Sequence, residues 1–160
     1  MPETTPLQIA LEPARQPEVI ALIDELDAFQ TVLYPPESHH GIDIDALSQP
    51  NVLFAVLRDE EGRPSGCGAI VVGKDYGEIK RMFVRPHLRG RGAGRAIVAF
   101  LEAEAARRGC TQVMLETGVS QPEAIALYAR CGYVRRGPFG DYWDDPLSVF
   151  MSKQIGSNAS

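Results

Sequence analysis

No stretch of this chain carries the ~20 consecutive apolar residues that a membrane-crossing helix needs. Nor does a basic segment with an apolar core mark a signal peptide, since the chain opens Met1-Pro2-Glu3-Thr4-Thr5. Cysteine is scarce. Cys67, Cys110 and Cys131 are odd in number and lack C-x-x-C spacing, which argues against a disulfide framework or zinc site and for a reducing, cytoplasmic compartment. Positive charge is in deficit as well. Against 21 Asp and Glu stand 16 Lys and Arg, a net charge of -5, the wrong sign for a general nucleic-acid binder. Repeats, low-complexity blocks and long linkers are missing. What remains, 160 residues of 44% hydrophobic and 23% charged composition, suits one domain with its own core. We expect that domain to fill 1–160, with short flexible ends at 1–5 and 156–160.

Periodicity orders the chain. Leu7–Leu11 predicts a first strand. Val19, Leu22, Ile23 and Leu26 form a helical stripe within Glu18–Phe29, stopped by Pro35-Pro36, and Asp43–Leu47 forms a second short helix. Val52–Arg58 and Gly66–Val72 predict a hairpin around Asp59-Glu60-Glu61-Gly62, and Glu78–Val84 a further strand closed by Pro86. A helix over Gly94–Arg108 ends at Gly109. A strand follows at Gln112–Glu116, and Pro122 opens a helix that runs to Arg130. Tyr133–Gly137 and Leu147–Lys153 complete the strands. The order β-α-α-β-β-β-α-β-α-β-β is mixed α/β, with helices packed on a central sheet.

Between the fourth strand and the third helix lies Arg89-Gly90-Arg91-Gly92-Ala93-Gly94. Glycines let a backbone turn tightly and approach a ligand, and the helix start adds unpaired N–H groups at its positive end. Such an arrangement suits a phosphorylated ligand. A P-loop is excluded, because no Gly-Lys is followed by Ser or Thr. A dinucleotide G-x-G-x-x-G is excluded too, because Arg95 or Ile97 stands where the third glycine belongs. The acyl-CoA pattern [Gln/Arg]-x-x-Gly-x-[Gly/Ala] fits at every constrained position. A ligand-free turn, or a fragment of an RNA-binding Arg/Gly segment, is the competing reading. The latter is normally repetitive and set in basic surroundings.

A second motif, Ala124-Ile125-Ala126-Leu127-Tyr128-Ala129-Arg130-Cys131-Gly132-Tyr133, fits A-x-x-[Leu/Phe]-Tyr-x-x-x-Gly-[Phe/Tyr]. With these two motifs in this order, the chain resembles the GNAT family of N-acetyltransferases over nearly its whole length. The resemblance implies the GNAT fold, a mixed and mostly antiparallel central sheet flanked by helices, and acetyl-CoA as acetyl donor without a metal. It implies that the backbone of Met82, Phe83 and Val84 pairs with the pantetheine arm as an added strand would. It places the pyrophosphate on the N–H groups of Arg89, Gly90, Arg91, Gly92, Ala93 and Gly94, and Tyr128 beside the sulfur. The family often has Asn where Gln121 stands; Gln keeps the amide on a longer arm.

The implied reaction moves an acetyl group from the thioester to a primary amine of a small molecule, an amino acid or simple amine. Acetylation of a peptide or protein amine, and a non-catalytic acyl-CoA-binding module, are the alternatives. A lysine-like amine has a pKa of ~10.4 and must lose a proton to attack. Glu78 stands where some family members place a strand base. Lys80, on the same strand face, is its natural ion-pair partner. Glu116 and direct loss of the proton to water are the other routes. Full transfer from the Tyr128 phenol (pKa ~10) to a thiolate (pKa ~8.5) is uphill by ~2 kcal/mol. Stabilising charge on the sulfur is therefore its more useful contribution.

For the acceptor the family implies two framing segments, Tyr34-Pro35-Pro36-Glu37-Ser38-His39-His40 and Phe139-Gly140-Asp141-Tyr142-Trp143-Asp144-Asp145. Tyr34, Glu37, Glu116, Phe139 and Tyr142 are the candidate contacts, by cation–π attraction and charge. Arg81 either holds a substrate carboxylate or pairs with an acid. Exposed polar loops are the plain alternative for both segments. Adjacent histidines at 39 and 40 lack ligand spacing, so no metal is expected. Nucleic acid and membrane are not expected partners, and a homodimer stays open.

Overall fold

A computed structural model describes residues 7–35 and 42–156. In chain order the elements are β1 (Gln8–Leu11), α1 (Pro17–Leu33), α2 (Ile44–Leu47), β2 (Val52–Arg58), β3 (Pro64–Val72), β4 (Gly77–Val84), α3 (Ala93–Arg107), β5 (Gln112–Gly118), α4 (Pro122–Arg130), β6 (Val134–Arg136) and β7 (Ser148–Gln154). They form one seven-stranded sheet ordered β1-β2-β3-β4-β5-β7-β6. Every neighbouring pair is antiparallel except β4 and β5. That parallel pair needs a crossover, which α3 supplies. The expected element order is borne out. Helix α1 runs four residues past the expected Phe29 and stops ahead of Pro35, whose ring disfavours helical backbone in the residue before it. Strand β6 is shorter than expected, a fully exposed three-residue edge beside β7.

Alternation along the strands sorts side chains onto two faces. Leu53, Ala55, Leu57, Ile70, Ile79, Val113 and Leu115 face α3, where Ile97, Val98, Leu101 and Ala105 meet them. Phe54, Val56, Cys67 and Ala69 face the other way, against Val19, Leu22 and Ile23 of α1 and Leu47 of α2. Further along this second face, Phe139 covers Met114 and Phe150 together with Tyr76 and Tyr142. Each large apolar side chain so buried contributes about 1.5–3 kcal/mol.

Two local features open the sheet. Pairing between β4 and β5 covers only Gly77–Ile79 and Val113–Leu115, after which the strands part. On the other side of β4 a bulge sets Arg81 and Met82 against the single residue Gly68. Arg81 holds φ 59°, a left-handed backbone that costs a non-glycine residue free energy. Its buried guanidinium offsets this by an ion pair to Asp27 Oδ1 at 2.7 Å and a hydrogen bond to the Ile42 carbonyl at 2.9 Å. Gly68 leaves room opposite: a Cβ there would lie 2.4 Å from Met82 Sδ and 2.9 Å from Ile97 Cγ2, so both side chains would have to move. A bulge bends its strand, and here it marks the stretch where β4 has left β5.

Candidate active site

The gap between β4 and β5 is a narrow slot through the sheet, of about 90 Å³ and continuous with solvent. Ala124 and Tyr128 of α4 line it from one face. Lys80, Glu116 and Tyr142 line it from the other, with Tyr34 and Gln121 at its end.

Tyr128 is 5% exposed, packed edge-on against Tyr133 with ring centroids 5.9 Å apart. Tyr133 is itself fixed, donating its hydroxyl proton to Glu102 Oε2 at 2.8 Å, and Lys153 binds the other oxygen of that carboxylate at 3.0 Å. Burial pushes the ionisation of Tyr128 well above the usual phenol range. Among the described residues its hydroxyl has no hydrogen-bond partner. A buried polar group in that state is rare, and it points to a ligand or water that completes it.

Beside this face, Gly90 (φ 79°) and Gly92 (φ 77°) shape the loop that opens α3. Among the described residues the N–H groups of Gly90, Gly92, Ala93, Gly94 and Arg95 have no acceptor, whereas those of Arg89 and Arg91 are turned back to Pro86 and Leu88. The unpaired amides form an anion cradle at a helix N-terminus. The Arg91 side chain pairs with Glu60 on the β2–β3 hairpin. Gly94 serves packing, since a Cβ there would meet Leu127 of α4 at 3.0 Å. The edge of β4 from Met82, which lines the slot, to Val84 lies beyond the ladder with β5; the Val84 carbonyl accepts from Arg89 Nε at 3.3 Å, and an added extended chain that took this edge would displace that side chain. Cradle, strand edge and unpartnered phenol follow one another along this face, and together they fit an acyl-CoA.

On the opposite face, the Tyr34 hydroxyl accepts the Ser120 N–H and donates to Gln121 Oε1, both at 3.2 Å. Burial raises its ionisation too. Glu116 accepts a 2.7 Å hydrogen bond from the Ser148 hydroxyl. Glu78 receives the Tyr142 O–H at 2.5 Å and pairs with Lys80 at 3.3 Å, while Lys80 donates to the Tyr142 oxygen at 2.8 Å. Burial, then the hydrogen bond and charge of Glu78, raise the ionisation of Tyr142. Glu78 does not line the slot. It lines a neighbouring cavity, with Tyr76, Asp141 and Trp143, that Lys80 and Tyr142 separate from the slot. Phe139 lies behind Tyr142 in an edge-to-face contact at 5.1 Å and reaches neither space. Arg81 lines the slot with its guanidinium already bound to Asp27. Glu37, His39 and His40 lie outside the described residues.

Residues 19–133 match the model of the acetyltransferase (GNAT) family. The chain belongs to the GNAT family. It is an acetyltransferase by that membership, and its seven-stranded, mostly antiparallel sheet is the GNAT fold. It is 46% identical to an IAA acetyltransferase of Azospirillum brasilense over 97% of this chain and 100% of the relative. With YsnE of Bacillus subtilis, described as an uncharacterized N-acetyltransferase, it shares 34% identity over 86% of this chain and 93% of the relative. A solved structure from Klebsiella pneumoniae, assigned as an acyl-CoA N-acyltransferase, superposes with TM-score 0.80 at 39% identity, covering 94% and 98% of the two chains. An aminoglycoside 6'-N-acetyltransferase complexed with coenzyme A shares the fold at TM-score 0.72 and 18% identity, covering 96% and 99%.

Within this GNAT site, sequence reasoning missed Lys80 as a wall between two cavities and Gly118 as the seat of Tyr34. A glycine at the end of a strand was the available signal for the second. Among the described residues no helix is long and apolar enough to cross a membrane, and no cluster of three His, Cys, Asp or Glu could hold a metal ion.

Proposed function

We propose that this GNAT protein acetylates the primary amine of a small molecule, an amino acid or simple amine, in the cytoplasm. The observation that carries the reading is a slot through the sheet with an unpartnered phenol, Tyr128, on one face and the Glu116 carboxylate on the other. Acetyl-CoA supplies the acetyl group as a thioester. The amides of Gly90, Gly92, Ala93, Gly94 and Arg95 hold its pyrophosphate, the edge of Met82–Val84 holds its pantetheine arm, and Tyr128 donates a hydrogen bond to the sulfur as charge develops there. A phenol whose ionisation is pushed up keeps its proton, so Tyr128 works by hydrogen bonding more than by complete transfer. Glu116 faces the acceptor's ammonium, with Tyr34, Lys80 and Tyr142 around it. Much of the acceleration comes from holding amine and thioester together. Gln121 spends its side-chain oxygen on Tyr34, so its contribution to the donor passes through the position of that ring.

A second reading rests on the Azospirillum relative, named for IAA: the acceptor is IAA. One experiment separates the two. Free thiol release from acetyl-CoA is measured with amino acids, simple amines, aminoglycosides, peptide N-termini and IAA. Fastest release with a small amine supports the proposal. Release with IAA alone, or with peptides alone, overturns it, and binding of acetyl-CoA without release from any acceptor makes the chain an acyl-CoA-binding module.

A further inference from the structure

The proton that the acceptor amine must lose has a marked way out. Glu78, the strand carboxylate, opens onto the outer cavity and not onto the slot, yet the hydroxyl of Tyr142 touches it and Tyr142 lines both spaces. We propose that Tyr142 is a proton relay: its oxygen takes a proton from the acceptor's ammonium in the slot while its own O–H proton passes to Glu78 in the outer cavity. The inference rests on the small-amine reading and assigns Tyr142 a role beyond lining the site.

The balance is closed. The acceptor R–NH3⁺ gives up one N–H proton to the Tyr142 oxygen, and the phenol's original proton ends on Glu78. The neutral amine forms the C–N bond as the C–S bond breaks, and the amine's second proton leaves with the sulfur, which departs as a thiol. Glu78 then returns its proton to water in the outer cavity. Tyr142 ends each cycle as the phenol it began. Its ionisation is driven up by burial and by Glu78, so phenolate does not accumulate, and the two proton movements are concerted. Lys80 steadies the passage, since its ammonium donates to the Tyr142 oxygen and pairs with Glu78. The other titratable groups around this cluster are Glu116 on β5, Asp75 and Tyr76 ahead of β4, Arg136 on β6 and Asp141 on the covering loop. A purely structural role, fastening the covering loop to β4, is the competing explanation.

The relay is tested with two small acceptors, ethylamine, protonated near neutrality, and hydroxylamine, largely neutral there. Thiol release above the buffer rate is followed from about pH 7 to about pH 10, a span that ends near an aliphatic amine's own pKa. Tyr142→Phe keeps the ring that packs on Phe139 and Phe150. It should cut kcat/KM for ethylamine about 100-fold near neutrality, a typical yield of acid–base assistance, and the deficit should close toward about pH 10. The hydroxylamine rate should fall far less, and the melting temperature only by the few degrees that losing the hydrogen bonds to Glu78 and Lys80 costs. Glu78→Gln should show the same pattern, and the double variant no further loss, as residues acting in series do. An equal loss for both amines, a loss that does not change with pH, or single losses that multiply in the double variant would overturn the relay alone. A wild-type enzyme silent toward both amines that releases thiol with IAA overturns the small-amine reading and the relay with it.

Discussion

The Tyr34 hydroxyl comes so close to Gly118 that a Cβ at 118 would lie 1.7 Å from its oxygen. The residue that caps the C-terminus of α1 is thereby seated on the end of β5, where it also binds the Ser120 N–H and Gln121. One methyl group cannot be accommodated without moving the ring. Gly118→Ala should cost about 1–3 kcal/mol, the usual penalty of overpacking, and should lower kcat/KM. Tyr34→Phe, which loses only the hydroxyl's hydrogen bonds, should cost about 1 kcal/mol. Denaturant titration of both variants decides. If the alanine is no worse than the phenylalanine, the approach is not tight.

Tyr128→Phe separates stability from activity. The hydroxyl is buried without a partner among the described residues, so its removal should leave the melting point unchanged or slightly raised. Turnover should fall about 100-fold while acetyl-CoA affinity changes little. A destabilised variant with normal turnover would return Tyr128 to the core.

Gly92 lies in left-handed backbone with nothing within 4 Å of where its Cβ would stand, so a substitution there meets strain and not a clash. Gly92→Val should add about 1–2 kcal/mol of strain or reshape the cradle, weakening acetyl-CoA binding about tenfold by titration calorimetry. Undiminished affinity would remove the loop from the donor site.

Acid should loosen the β2–β3 hairpin first. Burial pushes the Asp59 carboxyl up, but the Arg63 N–H, the Ser65 hydroxyl, the Glu61 N–H and His87 together hold it below its ordinary value. The folded state therefore binds this proton less readily than the unfolded chain. Its stabilisation is present above about pH 4, where an unfolded aspartate is ionised, and is lost as pH falls through the depressed folded value. Asp59→Asn should be less stable at neutrality and show a flatter acid limb in melting temperature against pH.

The element order was legible because each segment carries a local signal: the Val19–Leu26 stripe, Pro122 at a helix start, Gly109 past a helix end. Both motifs were legible because glycine spacing is a local backbone property. What the sequence hid is non-local. Nothing near Arg81 marks it for left-handed backbone, since the stabilising Asp27 lies 54 residues away. The same-face spacing of Glu78 and Lys80 foretold their ion pair but not the second cavity. That depends on Tyr142, delivered from a loop that also buries Phe139.

The short β4–β5 ladder has a mechanical consequence. Among the described residues, backbone hydrogen bonds between the half-sheet of β1–β4 and that of β5–β7–β6 run only along Gly77–Ile79 and Val113–Leu115. The seam is otherwise crossed by side chains, such as Tyr34 to Gln121 and Tyr142 to Glu78 and Lys80. An extended molecule lodged there would act as a splint, replacing the missing rungs, so that the empty protein should be the softer one along this line and the occupied one the stiffer.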